Sequence, residues 1–426
     1  MLIEIRVRNY RSFRDEVTLS LVASSDSAHL DSNTTETHVG GAPRVLRSAV
    51  LYGANASGKS NLLRALALMR GLVVESAGLQ PGQAFNVQPF RLDPGTVQEP
   101  TLFETTIALD GVRYQYGFEI TPTQVMAEWL LVYQKQKAQR WFERRFDKKS
   151  GKDKFEFGSH FLGQRKLWQE ATRSNALFLS TAVSLNSDQL RPLFSWFSEA
   201  LVITPEGVGF LPFYSTGMIS SKRGEQALTS FMSAADIAIS SIAAVPQKSM
   251  FHHFNFDSAT GRSDSRDEEG EILVPRFQHR SGNNTAEFDF TDESQGTQKL
   301  FSLAGPLFDI LEKGRVLVID ELDRSLHPLL VRRIIETFHD SELNRSGAQL
   351  IFSTHDTSLL DQELLRRDQI WFTEKDRSQS STLVPLTEFS PRKGEAIEKG
   401  YLGGRYGGIP ILAKRLVEQR DRGVKK

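Results

Sequence analysis

The sequence predicts an α/β fold interrupted by an antiparallel insertion, and three observations carry that prediction. Short apolar strands leading into loops and amphipathic helices occur around residues 49–69 and again from residue 295 onward. Between them, residues 100–160 alternate apolar and polar positions in runs punctuated by Asp110-Gly111, a hairpin signal. The two α/β stretches, 1–75 and 290–375, each hold too few strands for a full sheet, so they are expected to fold together as one split domain.

Taken in order, Ile3, Ile5 and Val7 alternate with Glu4, Arg6 and Arg8, and Val17, Leu19 and Leu21 repeat the pattern, which predicts a pair of half-buried strands. Ala49, Val50, Leu51 and Tyr52 form a buried strand entering a glycine loop. Leu62, Leu63, Leu66 and Met69 then recur at helical spacing as far as Gly71. Phe103, Thr105, Ile107 and Leu109 alternate before Asp110-Gly111, and Val112, Tyr114, Tyr116, Phe118 and Ile120 after it. Runs at 128–134, 140–146 and 154–157 complete an antiparallel meander. Helical and mixed segments fill 165–245, and the acidic, glycine-punctuated stretch 255–271 predicts a mobile surface loop with no chemistry of its own. Strand and helix alternation returns as helix 296–312, strand 315–319, helix 328–339, strand 349–353, helix 357–366 and strand 369–373.

Composition narrows the function. The 426 residues carry 52 Lys+Arg against 52 Asp+Glu, so no global basic field drives nucleic-acid binding and any such contact must come from local patches. Hydrophobic content of 39% with 28 Phe excludes disorder from end to end. The absence of Cys removes disulfides, thiolate metal sites and cysteine nucleophiles. There is no apolar run of about 18 residues, and the charged start Met-Leu-Ile-Glu-Ile-Arg does not suit a signal peptide. A soluble, cytoplasmic protein without a membrane anchor is expected.

Four motifs carry chemistry. Gly53-Ala-Asn55-Ala-Ser57-Gly58-Lys59-Ser60 fits G-x-x-x-x-G-K-[ST] between an apolar strand and a helix that opens Lys59-Ser60-Asn61. Its backbone N–H groups can cradle phosphate, Lys59 can reach the β- and γ-phosphates, and Ser60 can bind Mg²⁺. Arg315-Val-Leu-Val-Ile-Asp320-Glu321 is an apolar strand ending in two acids, which places Asp320 to hold Mg²⁺ and Glu321 to orient the attacking water. Between these, Asp292-Glu-Ser294-Gln-Gly296-Thr-Gln-Lys opens an apolar helix and reads as a further anion-binding terminus or as an ordinary cap. Ile351-Phe-Ser-Thr-His355 ends another strand, with the histidine placed to touch the γ-phosphate.

In that order the motifs resemble an ABC-type ATPase head, and the wide insertion between the first two resembles the SMC/RecF/OLD branch. The opening Ile5-Arg-Val-Arg-Asn-Tyr-Arg11-Ser12-Phe is similar to that branch, in which the Arg-Ser pair approaches the nucleotide. More narrowly, Glu293-Ser-Gln-Gly-Thr-Gln-Lys, Asp320-Glu-Leu-Asp-Arg-Ser-Leu-His-Pro328 and Tyr401-Leu-Gly-Gly-Arg-Tyr-Gly-Gly-Ile-Pro410 resemble the stand-alone AAA/OLD-like ATPases of bacterial anti-phage systems, RloA-type and AriA-type.

The resemblance implies an ABC-type P-loop head split by an inserted β meander and a helical lobe. Residues 1–75 and 290–390 would form its two halves, 76–160 the meander, 161–289 the lobe with the acidic loop, and 391–426 a closing motif and basic tail. It implies ATP and Mg²⁺ as cofactors and a homodimer or higher homo-oligomer that sandwiches ATP, with Ser294 and Gly296 acting in trans. The usual Leu-Ser-Gly-Gly-Gln is altered here, and His327 stands where many such heads carry an aspartate. The coupling glutamine stays open between Gln88 and Gln189. The roughly 16 residues after Pro410 leave no room for the Toprim domain that follows the ATPase in OLD nucleases, so a separate effector, a Toprim-type nuclease, is the expected partner. The basic helical stretch 414–426 is expected to be a solvated helix or a dock for a partner or DNA. The alternative reading is a RecF/SMC-like DNA-repair or recombination ATPase, and a third is an ATP-binding scaffold.

Overall fold

The chain opens with strand β1 (Leu2–Arg8), whose Ile5 and Val7 are buried opposite Leu19 and Val17 of the antiparallel strand β2 (Val17–Ser20). This computed structural model describes residues 1–204, 209–235, 237–257, 262–392 and 394–410, and, for 253–257 and 262–264, the backbone only. Its contacts group into two units: Leu2–Ser198 with Ser353 onward, and Glu199–Phe352 with Met1.

In the first unit, strand β3 (Ser48–Gly53) is buried along its whole length and runs through the glycine loop into helix α1 (Lys59–Glu75). The expected meander then forms strands β4 (Thr101–Leu109), β5 (Val112–Ile120), β6 (Val125–Tyr133), β7 (Gln139–Asp147) and β8 (Lys152–Phe157). Asp110 and Gly111 both take left-handed backbone (φ 50° and 73°), the geometry of a tight two-residue hairpin turn. Strand β4 also pairs with β1, so the meander extends the opening hairpin into a seven-stranded antiparallel sheet, β8-β7-β6-β5-β4-β1-β2. Helix α2 (Phe178–Ser184) covers one face, its Phe178 ring 4.7 Å from that of Phe142.

A buried polar spine fixes that helix. Glu128 accepts from the amides of Phe178 and Leu179 at 2.6 and 3.0 Å and from the Tyr116 hydroxyl at 3.0 Å. Arg144 lies 3.8 Å from Glu128, both fully buried, and donates to Asp153 and to the carbonyls of Ala176 and Arg173. Burial pushes the Glu128 carboxyl up, against the pull of Arg144 and its other donors.

In the second unit, strand β9 (Leu201–Ile203) leads to two strands of unusual length, β10 (Ile239–Asp257) and β11 (Arg262–Ser281), paired antiparallel, with β12 (Asn284–Asp289) on the far side of β11. The loop expected at 255–271 is therefore strand in its described part, 255–257 and 262–271; residues 258–261 lie outside the described residues. Polarity misled there because residues 265–269 are all exposed, so neither face of the ribbon needs apolar side chains. Lys248–Glu269 and His252–Asp267 pair across the two strands at 2.9 and 2.6 Å. At the base, Ile239, Ile242 and Phe277 are buried, and Phe277 meets Phe301 edge-on at 5.1 Å.

Phe301 belongs to helix α3 (Gln295–Lys313), which ends on Gly314 in left-handed backbone. Strand β13 (Val316–Ile319), helix α4 (Pro328–His339) and strand β14 (Gln349–Ser353) follow, and β9, β13 and β14 form a parallel sheet, with Leu201 opposite Val316 and Val316 opposite Gln349.

The chain then returns to the first unit. Strand β15 (Ile370–Lys375) pairs parallel with β3 and antiparallel with β16 (Ser381–Pro385), and helix α5 (Ile397–Leu402) precedes the last described loop. The helix expected at 357–366 is instead a 3₁₀ turn at Thr357–Leu359 followed by non-helical chain. The Asp356 and Asp361 carboxylates accept from the amides of Ser358 and Glu363, local bonds that compete with a helix. Among the described residues no helix is long and apolar enough to cross a membrane. The basic stretch 414–426 lies outside the described residues.

Candidate functional site

The first unit builds the phosphate loop from the carboxyl end of β3. A Cβ at Gly53 would strike the Thr373 carbonyl and hydroxyl on neighbouring β15, and one at Gly58 (φ 123°) would lie 2.6 Å from the Ser381 hydroxyl. Ser57 is buried against this scaffold, its hydroxyl 2.5 Å from that of Thr373 and its carbonyl accepting from Ser381 at 2.6 Å. Ser57 thus shapes the loop through its side chain, while Asn55 and Ala56 stand exposed at the crown. Lys59, 6% exposed, donates across the loop to the carbonyls of Gly53 and Ala54 at 2.7 and 3.2 Å. Ser60 is half-buried in the first turn of α1, where the helix N-terminus and its dipole favour an anion.

Arg11 and Ser12 come to the same helix end. Asn61 donates to the Ser12 hydroxyl at 2.8 Å and accepts from Arg64 at 2.8 Å. The Arg11 amide donates to the Gln88 carbonyl at 2.8 Å, and a cavity of ≈ 290 Å³ is lined by Arg11, Ser12, Asn61, Gln88, Lys375 and Gln379. Gln189 is instead tied to the backbone of His160 and Leu162, so the two open glutamines part: only Gln88 adjoins the phosphate-loop helix. His355 is exposed just after Thr354, whose amide donates to Leu51 on β3 at 3.3 Å.

The closing glycine motif also reaches this loop. The Tyr401 hydroxyl donates to the Gly408 carbonyl at 3.1 Å, the Gly408 amide donates to Glu374 at 3.3 Å, and a Cβ on Gly408 would lie 3.4 Å from the Gly53 Cα. Tyr401 and Tyr406 both stack on Phe372 of β15, at 5.3 and 5.6 Å. Burial, with Glu395 beside it, pushes the Tyr406 phenol up to about 12, so it stays a neutral donor to that carboxylate. The sequence shows this motif but not its partners; Tyr401 and Tyr406, each shortly before a glycine pair, are the local signal for them.

The second unit holds the acidic strand end and the Ser-x-Gly turn. Asp320 is half-buried after the wholly buried β13, and Glu321 is exposed with left-handed backbone (φ 51°), a strained setting for a non-glycine residue. The turn closes through Arg324 N–H to the Glu321 carbonyl at 3.0 Å. Ser294 caps α3, accepting from the Thr297 amide at 3.1 Å, and Glu293 before it pairs with His279 of β11 at 2.6 Å. A Cβ on Gly296 would lie 2.9 Å from the Ser325 carbonyl, so glycine lets the helix start touch the turn after the two acids. His327 caps α4, its Nδ1 accepting from the Leu329 amide at 3.2 Å. Lys299, which motif reading passed over, donates to the carbonyls of Glu321, Leu322 and Arg324 at 3.4, 3.0 and 2.6 Å.

Among the described residues no group of three or more His, Asp or Glu side chains could hold a metal by itself. Ser60 in the first unit and Asp320 in the second each carry a hard oxygen donor of the kind that Mg²⁺ takes, an ion commonly held by one or two protein oxygens together with phosphate and water.

A phosphate loop between a buried strand and a helix, on a mixed α/β fold, defines a P-loop nucleotide-binding protein. The family described as "AAA domain, putative AbiEii toxin, Type IV TA system" matches residues 48–361, most of the chain, and the chain belongs to it. It therefore carries a P-loop ATPase domain of the AAA type. Among solved structures, one similar to this chain is the "SmcHead bound to the C-winged helix domain of ScpA", at 12% identity and a TM-score of 0.41, covering 90% of this chain and 96% of that one. None of the curated proteins matches.

Proposed function

We propose that this protein is an Mg²⁺-dependent ATPase, converting ATP to ADP and phosphate, that serves as the regulatory subunit of a cytoplasmic bacterial anti-phage system and controls a separate effector, a Toprim-type nuclease. The observation that carries the ATPase part is the phosphate loop: a buried lysine, Lys59, spans glycine-lined backbone, with a helix N-terminus behind it.

Loop amides and Lys59 bind and orient the phosphates, and Lys59 exchanges its two carbonyl acceptors for phosphate oxygens, a stronger charge-assisted bond. Ser60 and Asp320 would hold Mg²⁺, which supplies charge neutralisation for the departing phosphate. Glu321 orients the attacking water and takes its proton, His355 contacts the γ-phosphate, and Arg11, Ser12 and Asn61 border the nucleotide. The work is positioning and electrostatics, as phosphoryl transfer requires. In this reading two ABC-type heads form the sandwich, with Ser294 and Gly296 of one facing the phosphate loop of the other. The likeness of the motifs to the RloA-type and AriA-type ATPases supports the defence assignment.

Lys59→Ala is expected to abolish ATP turnover, and Glu321→Gln to bind ATP and hold it; full turnover in either variant sinks the site assignment. The role is tested by co-expressing tagged Glu321→Gln protein with the product of the adjacent reading frame. ATP-dependent capture of a nuclease-like protein is expected. An ATPase that comes down alone and binds DNA in a salt-sensitive way overturns the defence role in favour of a DNA-repair ATPase.

A further inference from the structure

We propose that Lys299 is a positioning residue for hydrolysis: it ties the turn that carries Glu321 to the helix that Ser294 caps, so the two motifs move together. This rests on the ATPase reading above.

The ammonium has three N–H donors and three acceptors, the carbonyls of Glu321, Leu322 and Arg324. These carbonyls converge on one side of a four-residue turn, and α3 supplies the cation that meets them. One helical turn earlier, Gly296 lies against the Ser325 carbonyl, where even a Cβ would come within 2.9 Å. Helix α3 thus grips the turn by charge from Glu321 to Arg324 and by close packing just beyond it, at Ser325.

The turn has a reason to need a grip. Glu321 holds left-handed backbone at φ 51°, a conformation that is costly for a non-glycine residue and persists only where the surroundings over-determine it. The Glu321 side chain is about half exposed and 3.9 Å from Arg324. Fixing its backbone fixes the direction in which the carboxylate leaves the chain. The charged groups around Lys299 are Asp323 and Glu321, which favour the ammonium, and Arg324, which opposes it; burial dominates and pulls the lysine down to about 8. The grip is charged at neutral pH and weakens as pH rises through that value.

The test compares kcat, KM and pH profile of the full chain carrying Lys299→Met or Lys299→Arg with those of the unaltered protein. Lys299→Met is expected to lower kcat by roughly tenfold or more while KM for ATP stays within about threefold, because the phosphate loop is built from other residues. The unaltered protein is expected to lose kcat as pH rises above about 8, and Lys299→Arg to keep most of kcat without that decline, since a guanidinium stays charged. Wild-type kcat in Lys299→Met, or an unchanged alkaline limb in Lys299→Arg, overturns the proposal. If Lys299→Met does not fold, hydrogen exchange of amides 321–326 decides in Lys299→Gln against Lys299→Arg. Faster exchange in the Gln variant alone is expected, and equal protection in both overturns the proposal. Should the unaltered protein turn over no more ATP than Lys59→Ala, the ATPase reading fails instead, and the exchange measurement still judges the grip.

Discussion

The seven-stranded meander sheet and the long hairpin β10–β11 are both antiparallel, yet they are stabilised in different ways. The meander buries one face under α2 and a polar spine in which Arg144 and Glu128 are fully enclosed. Among the described side chains, the hairpin buries Ile239, Ile242, Pro275 and Phe277 at its base and farther out leaves Met250, Phe251 and Leu273 exposed. Burial makes a strand legible and mutation-sensitive; a ribbon held by its own ladder is neither.

Three substitutions sharpen that contrast, each read by denaturant unfolding together with hydrogen exchange local to its unit. Arg144→Met is expected to cost the most, about 3–5 kcal/mol, because it leaves Glu128 enclosed without its cation. Loss of protection should spread through residues 125–184. Phe277→Leu, at the hairpin base, is expected to cost about 1–2 kcal/mol through the gap left beside Phe301. Lys248→Ala, farther out on the ribbon, removes one exposed ion pair with Glu269 and should change stability by less than ~0.5 kcal/mol. If Lys248→Ala matched Arg144→Met, the contrast between the two sheets would collapse.

The same distinction explains what could be read from the residues. The phosphate loop was legible because its chemistry dictates a contiguous string: glycines at 53 and 58, where the structure leaves no room for a Cβ, and a lysine able to reach back over the loop. The meander was legible from alternation, since one buried face imposes period two on strands such as Val125–Tyr133. The strand at 262–271 was hidden because its residues 265–269 are exposed, and the expected helix at 357–366 gave way to aspartate–amide bonds that periodicity does not register. Residues whose partners lie far along the chain were also hidden. Thr373 and Ser381 frame Ser57 from more than 300 positions away, Gly408 rests on Gly53, and Lys299 reaches carbonyls at 321–324. No local string announces such pairs.

The pairing of β3 with β15 sets a timetable for biosynthesis. Val50 lies opposite Ile370, and Gly53 opposite Thr373, so the floor of the phosphate loop is assembled from segments 320 positions apart. At about 5–20 residues per second, a ribosome needs roughly 15–60 s to make the second segment after the first. Within that interval, once residue 157 has emerged, the meander strands, paired with near neighbours, can already fold. The nascent chain thus completes the floor of its phosphate loop late, when residues 370–408 have emerged to pair with β3 and pack against Gly53.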